Sequence, residues 1–143
     1  MKIDLDVRGD REVQLLIDKM EYRVRNPRGY FEDHAGPILM ASHRKAFDTG
    51  GSSQGFPWRR HSERTVQRMG QHRVLENTRR LRRSLTVKGS KDQKFEMRGD
   101  ALYYGTKVYY AKFLYENRPF LRLNTFDIDK LRKALVDYIV PKT

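Results

Sequence analysis

The chain has 143 residues, enough for one domain with a single modest core. Only 38% of residues are hydrophobic, and 30 lysines and arginines against 18 aspartates and glutamates leave a net charge of +12, so the core must be small and some segments are expected to order only against a partner. The absence of cysteine excludes disulfide staples, cysteine-ligated zinc, iron–sulfur clusters and thiol catalysis, and no apolar run is long enough to cross a bilayer.

The opening MKIDLDVRGD is charged and lacks the apolar run of a signal peptide, so a protein made in a cytoplasm is expected; its first six residues alternate as a short strand would. DREVQLLIDKMEYRVR then reads as a helix, with Asp10 as a cap and an apolar stripe of Val13, Leu16, Ile17, Met20 and Val24. NPRG closes it, because a residue before proline is biased away from helical geometry. A second helical region is interrupted at Gly36-Pro37. The cheaper reading starts a helix at Pro37 and ends it at Gly50-Gly51, carrying Leu39, Met40, His43, Ala46 and Phe47, with residues 31–35 as a separate turn or a kinked first half. Residues 48–57 read as a mobile loop leading to the single tryptophan, Trp58.

Ser62 to Gly70 has helical tendency, and Asn77 to Ser84 is a short helix with Leu81 and Leu85 facing inward. SLTVKG, QKFEMRG and ALYYGT read as strands separated by glycine-bearing turns; VYYAKFLYE and FLRLN fit strand or helix. The last segment, TFDIDKLRKALVDYIV, is the clearest helix, with Phe126, Ile128, Leu131, Leu135, Tyr138 and Ile139 apolar, Thr125 or Asp127 as cap and Pro141 as stop. The expected fold is α+β in one domain over 1–143: N-terminal helices, a small antiparallel sheet and a C-terminal helix.

Few residues suggest chemistry. His34, His43, His61 and His72 form no metal-ligand spacing, and scattered histidines are usually packing or solvent-facing residues. Ser62 and Ser84 lack a nucleophile elbow, and Asp127 and Asp129 point to different sides of a helix. Glu32, Asp33 and His34 would suit a nuclease in so basic a protein, but solvation of a helix end explains them as well. GGSSQGFPW lacks the Lys-Ser/Thr ending of a phosphate loop. No catalytic residue, metal or cofactor is expected.

The arginines say more. Arg59, Arg60, Arg64, Arg68, Arg73, Arg79, Arg80, Arg82 and Arg83 are opposed within their own stretch only by Glu63 and Glu76. A solvated helical face is the bland reading. Like charge so unrelieved favours a negative partner, and arginine suits carboxylate or phosphate forks. TRRLRRS would gather Arg79, Arg82 and Arg83 around one helical turn. With Arg59, Arg60 and Gly55 of the mobile loop, they are the interface candidates. Tyr103, Tyr109, Phe113 and Phe120 could in principle stack bases. Placing them on one exposed face would strip a core already short of apolar residues, so core and interface packing is preferred, with Arg118-Pro119-Phe120 as a rigid corner.

Several segments, in order, then carry a resemblance. Gly55-Phe56-Pro57-Trp58, Thr65, Leu75-x-x-Thr78-x-x-Leu81-x-x-Ser84, Val108-Tyr109-Tyr110-Ala111 and Arg118-Pro119-Phe120-Leu121 resemble the tail-completion, or virion morphogenesis, proteins of tailed bacteriophages, the family of the Mu-like G protein. Arg79 stands where that family usually has glycine, Arg122 replaces the glycine after the Phe-Leu pair, and the loop before Arg118 is shorter, as in a divergent neck or head–tail joining relative. The resemblance implies that Trp58, Leu81, Tyr110, Ala111, Pro119 and Phe120 are structural anchors and supplies no catalytic set. It further implies a noncatalytic virion subunit, assembled in the host cytoplasm, in a ring at the neck or tail-tube end. Its partners would be connector and tail-tube proteins, with non-specific contact to packaged DNA and no membrane. A small basic nucleic-acid-binding protein is the alternative, and a phage-associated nuclease a weaker one. No large continuous apolar surface is legible, so a monomer before assembly fits.

Overall fold

The computed structural model describes residues 10–69, 79–115 and 118–141; the expected opening strand lies outside them. The first helix, α1 (Asp10–Arg25), stops where Asn26 meets Pro27, and the Asn26 amide closes its last turn on the Tyr22 carbonyl at 2.9 Å. One turn of helix, α2 (Arg28–Tyr30), then runs through a π-helical turn at Phe31–Ala35 into α3 (Gly36–Thr49) without a break.

This corrects the expected start at Pro37. The Gly36 N–H bonds to the Phe31 carbonyl, five residues back, which widens the turn. In an ordinary α-helix the proline ring would crowd the carbonyl four residues earlier; the wider turn lets it enter as the second residue of α3. Gly36 is needed for space. A Cβ there would lie 3.0 Å from the Phe31 carbonyl oxygen and 3.0 Å from the Phe95 ring.

α3 ends on Gly50 at φ 60°. Gly51 follows at φ 88°, so close to the next strand of chain that a Cβ would sit 2.5 Å from both the Phe56 oxygen and the Trp58 ring. Ser52–Gln54 make a 3₁₀ turn whose buried Gln54 donates to the backbone and hydroxyl oxygens of Ser42, both at 3.0 Å. The Trp58 amide donates to Gly50 at 2.7 Å. Residues 50–58 of the expected loop stretch thus form a hydrogen-bonded turn.

α4 (Glu63–Met69) is capped by Ser62, whose hydroxyl accepts from the Thr65 amide at 3.2 Å. α5 (Arg80–Thr86) brings Leu81 and Leu85 inward as expected. It also absorbs the start of SLTVKG, which therefore is not a strand: Ser84 and Leu85 are both fully buried, a consecutive pair that suits a helix packed on two sides better than a one-sided strand. β1 (Gln93–Arg98) and β2 (Ala101–Thr106) form one antiparallel hairpin with Phe95 opposite Tyr104 and Met97 opposite Leu102. VYYAKFLYE resolves into a short helix, α6 (Ala111–Tyr115), and FLRLN forms no helix or strand. α7 (Thr125–Ile139) ends the fold. Its cap is Asn124, whose Oδ1 accepts from the Asp127 amide at 2.7 Å, in place of Thr125 or Asp127. The fold is α+β, with helices at both ends and one small antiparallel sheet.

One cluster holds the centre. Ala46 and Phe47 of α3, Trp58, Leu81 and Leu85 of α5, Val108, Ala111 of α6 and Phe120 pack together, with Tyr104, Tyr110, Leu114 and Leu121 against them. Phe47 and Trp58 meet edge to face at 5.1 Å, as do Tyr115 and Phe120 at 5.3 Å. A polar strut joins the turn to α3 and α7: Ser42 donates to Asp127 at 2.6 Å, and Asn124 donates to the Ser53 carbonyl at 2.9 Å.

The ends of the chain are held more lightly. Arg23 donates to the Tyr138 carbonyl, Tyr138 to the Asn26 carbonyl and Tyr30 to the Leu131 carbonyl, each at 2.7 Å. Yet Val13, Ile17, Val24, Phe126, Leu135 and Val136 are exposed, so the apolar stripes of α1 and α7 are only partly covered. The sequence had promised less open apolar surface than this.

Candidate interaction surface

The arginines divide into two groups. Arg59, Arg60, Arg79 and Arg83 are exposed, as is Gly55, which sits at φ 74° with open space where a Cβ would be. Arg82 and Arg80 are turned back onto the protein. Arg82 donates to Asp48 at 2.6 Å and lies 6.0 Å over the Phe47 ring. Arg80 forks onto both oxygens of Asp92, at 2.8 and 3.1 Å. That fork holds the Asp92 carboxyl below its usual range, and Asp92 in turn raises the Arg80 guanidinium.

The Arg83 amide donates to the Arg79 carbonyl at 2.9 Å, so Arg79, Arg82 and Arg83 do lie around the first turn of α5, with the Arg82 side chain turned onto Asp48. Arg79 precedes α5 at φ 57°, the one described non-glycine residue with positive φ, and Arg82 faces Asp48. The acidic partners lie outside the arginine-rich stretch, which is why the local charge count missed them. The neighbouring corner is also basic: the Arg118 Nε donates to the Arg59 carbonyl at 2.9 Å, and burial, then the nearby Arg59 charge, lowers the Arg118 guanidinium.

The aromatics divide as well. Phe120 is 1% exposed and Tyr110 half-buried, whereas Tyr109 and Phe113 are 73% and 71% exposed. Phe113 lies in α6 and Tyr109 in the turn just before it; both are open to solvent while Ala111 between them is buried. Lys112 lies 5.0 Å over the Phe113 ring, and Arg122 lies 5.2 Å over the half-open Phe56 ring. Beside α6 runs an open, largely apolar groove of about 380 Å³, lined among others by Lys94, Gly105, Ala111, Lys112, Tyr115 and Phe120. Exposed rings, an apolar trough and two rim lysines are what a neighbouring protein with an apolar segment and carboxylates would meet.

The proposed anchors lie inside this surface. Trp58, Leu81, Ala111 and Phe120 belong to the central cluster, Tyr110 packs on it, and Pro119 is half-buried beside it.

The residues considered for chemistry are dispersed. Glu32 pairs with Arg28 at 3.0 Å, Asp33 faces solvent, and the His34 ring lies 6.3 Å from that of Tyr30. Ser84 donates to the Leu81 carbonyl at 2.6 Å, a helix-wall bond. Asp127 is buried against Ser42, while Asp129 faces outward near Arg132. His43 is 1% exposed and stacks on Tyr104 with ring centroids 5.4 Å apart. Its Nδ1 donates to the Leu39 carbonyl, and burial pushes the imidazole below its usual range. His72, Glu76, Leu75 and Thr78 lie outside the described residues. Among those described, no three histidine, aspartate or glutamate side chains gather as metal ligands, and no helix is long and apolar enough to cross a membrane. No family model, curated protein or solved structure matches the chain.

Proposed function

We propose that this chain is a noncatalytic assembly subunit of a tailed bacteriophage, acting in tail completion and head–tail joining as part of a ring at the neck or tail-tube end. The observation that carries the reading is the core. Five residues that bear the resemblance, Trp58, Leu81, Val108, Ala111 and Phe120, meet in a single cluster with Ala46, Phe47 and Leu85. A motif set that is scattered in sequence and contiguous in space is a packing signature, and it leaves surface side chains free to serve contact. Arg79 adds support. It occupies the place where the family usually carries glycine, and its backbone takes the left-handed conformation that glycine favours.

The contact surface in this reading is the α6 face, with Tyr109 and Phe113 as anchors and Lys94 and Lys112 at the rim of the groove. Its partners are connector and tail-tube proteins bearing an apolar side chain among carboxylates. A ring repeats such a contact in every subunit, so individually weak interfaces add up. Basic side chains such as Arg59, Arg60 and Arg83 suit non-specific proximity to packaged DNA. The place of action is the virion, after assembly in the host cytoplasm.

The test is a head–tail joining assay with particles lacking this protein. Wild-type protein is expected to restore joining, while Tyr109→Asp with Phe113→Asp folds normally by circular dichroism and fails to join. Failure of the wild type to restore joining sinks the reading. Tight duplex or single-strand binding with a steep inverse salt dependence would instead favour a nucleic-acid-binding protein.

A further inference from the structure

β1 borders two hollows. Lys94 lines the groove beside α6, whereas its neighbours Gln93 and Phe95, on the opposite face of the strand, line a cavity of about 350 Å³. Met40 of α3, Glu32 of the π-helical turn, and Lys88 and Gly89 of the turn after α5 complete its wall. The Phe95 ring lies against Gly36 and edge-on to Tyr104, with ring centroids 6.4 Å apart, so the apolar side of the cavity is fixed by packing. Gln93 is 9% exposed, and its Oε1 accepts from the Gly89 amide at 3.2 Å. A backbone N–H needs an oxygen there, which sets the orientation of the side-chain amide and leaves Nε2 as its other end. That nitrogen is buried and finds no hydrogen-bond partner among the described residues. Gly89 and Gln93 both line the cavity, so the amide that joins them lies at its wall. An unpaired buried donor is destabilising, and an acceptor brought into the cavity relieves it.

We propose that this cavity binds one apolar residue carrying a free carboxylate, either a free amino acid or the last residue of a peptide chain. The carboxylate accepts from Gln93 Nε2 and from the ammonium of Lys88, which is exposed and has no ion pair among the described residues. The apolar side chain lies on Met40, whose thioether adapts to its shape, and on Phe95. The nitrogen of the ligand donates to the Glu32 carboxylate, which already accepts from Arg28 at 3.0 Å and keeps further lone pairs. Size agrees with this occupant, because the volume stands at the small end for ligand pockets and suits one residue. Glu32 and the apolar wall count against a bare phosphate. The cavity shares no lining residue with the groove beside α6, so the inference stands independently of the role proposed above.

The test is an NMR titration of the full chain, labelled with nitrogen-15, against leucine, N-acetylleucine and leucinamide. The side-chain amide signal of Gln93 is assigned as the one missing from Gln93→Leu. With leucine or N-acetylleucine it is expected to shift saturably in the millimolar range, and leucinamide, which lacks the carboxylate, is expected to leave it in place. Binding of leucine alone identifies a free amino acid as the ligand class, and binding of N-acetylleucine identifies a chain end. Lys88→Ala, at an exposed position, is expected to weaken binding about tenfold. Gln93→Leu keeps the bulk without the donor and is expected to abolish the ligand-induced shifts of the backbone amides around the cavity, with Trp58 emission reporting that the central cluster is intact. If Gln93→Leu does not fold, wild-type signals, the three ligands and Lys88→Ala decide alone. No saturable shift with either carboxylate, equal binding of leucinamide, or undiminished binding by Lys88→Ala or by folded Gln93→Leu overturns the proposal.

Discussion

The cluster around Phe120 and the pairing of α1 with α7 are both made by helices with apolar stripes, but they close to different degrees. In the first, Ala46, Phe47, Leu81, Leu85 and Phe120 are each no more than 2% exposed, because α3, α5, α6 and the Trp58 segment approach from several directions. In the second, two helices meet along one flank and their outer positions stay open, as with Phe126 at 64%. The difference teaches that a stripe states which face a helix must bury, while the number of neighbours decides whether the burial happens within the chain.

The sharpest way to break this comparison uses one residue type in both regions. Phe120→Ala is expected to cost about 3–5 kcal/mol of stability, whereas Phe126→Ala stays within about 0.5 kcal/mol, both by denaturant unfolding. Equal costs would mean that the two regions are not distinct. Gly51→Ala comes next. It forces a side chain onto a left-handed backbone and into the Trp58 ring, so a loss of about 2–3 kcal/mol is expected, against about 1 kcal/mol for Gly55→Ala, where space is open.

Arg79→Gly works in the opposite direction. Relief of the left-handed strain is expected to raise the melting temperature by a few degrees, a gain of about 1 kcal/mol, although glycine at an ordinary position would lower it. Arg82→Gln is expected to cost about 0.5–1 kcal/mol through Asp48 and the Phe47 ring, while Arg83→Gln is neutral.

The buried imidazole supplies a dependence on pH. The folded-state pKa of His43 lies below that of the unfolded chain, so at a pH between the two the unfolded state holds more protons. Stability is full above about pH 6.5 and falls as pH drops through that value toward the lower folded pKa. His43→Gln is expected to flatten this limb in thermal melts taken across the range.

Much of the architecture was legible in residue patterns. The stripe of α7, the inward Leu81 and Leu85 and the two strands of the hairpin follow from local periodicity, which needs no knowledge of the rest of the chain. The errors share a cause. Pro37 was expected to begin a helix because proline costs most in an α-helical interior; the π-helical turn that absorbs it widens the backbone where Phe95 of a distant strand packs on Gly36. SLTVKG alternates as a strand would, but the consecutive residues Ser84, Leu85 and Thr86 are all buried, while Val87 is exposed. The arginines looked uncompensated because Asp48 and Asp92 belong to other segments.

The candidate surface was half legible. That Phe120 would be core followed from a shortage of apolar residues, yet the same reasoning did not separate it from Phe113, which faces out. Composition by itself determined a basic chain without cysteine, and residue order determined that α1 and α7 each carry an apolar face to bury. Only tertiary structure decided which faces found cover, which cations found carboxylates and which glycines were irreplaceable, because burial, ion pairing and close approach are properties of residues brought together from distant parts of the chain.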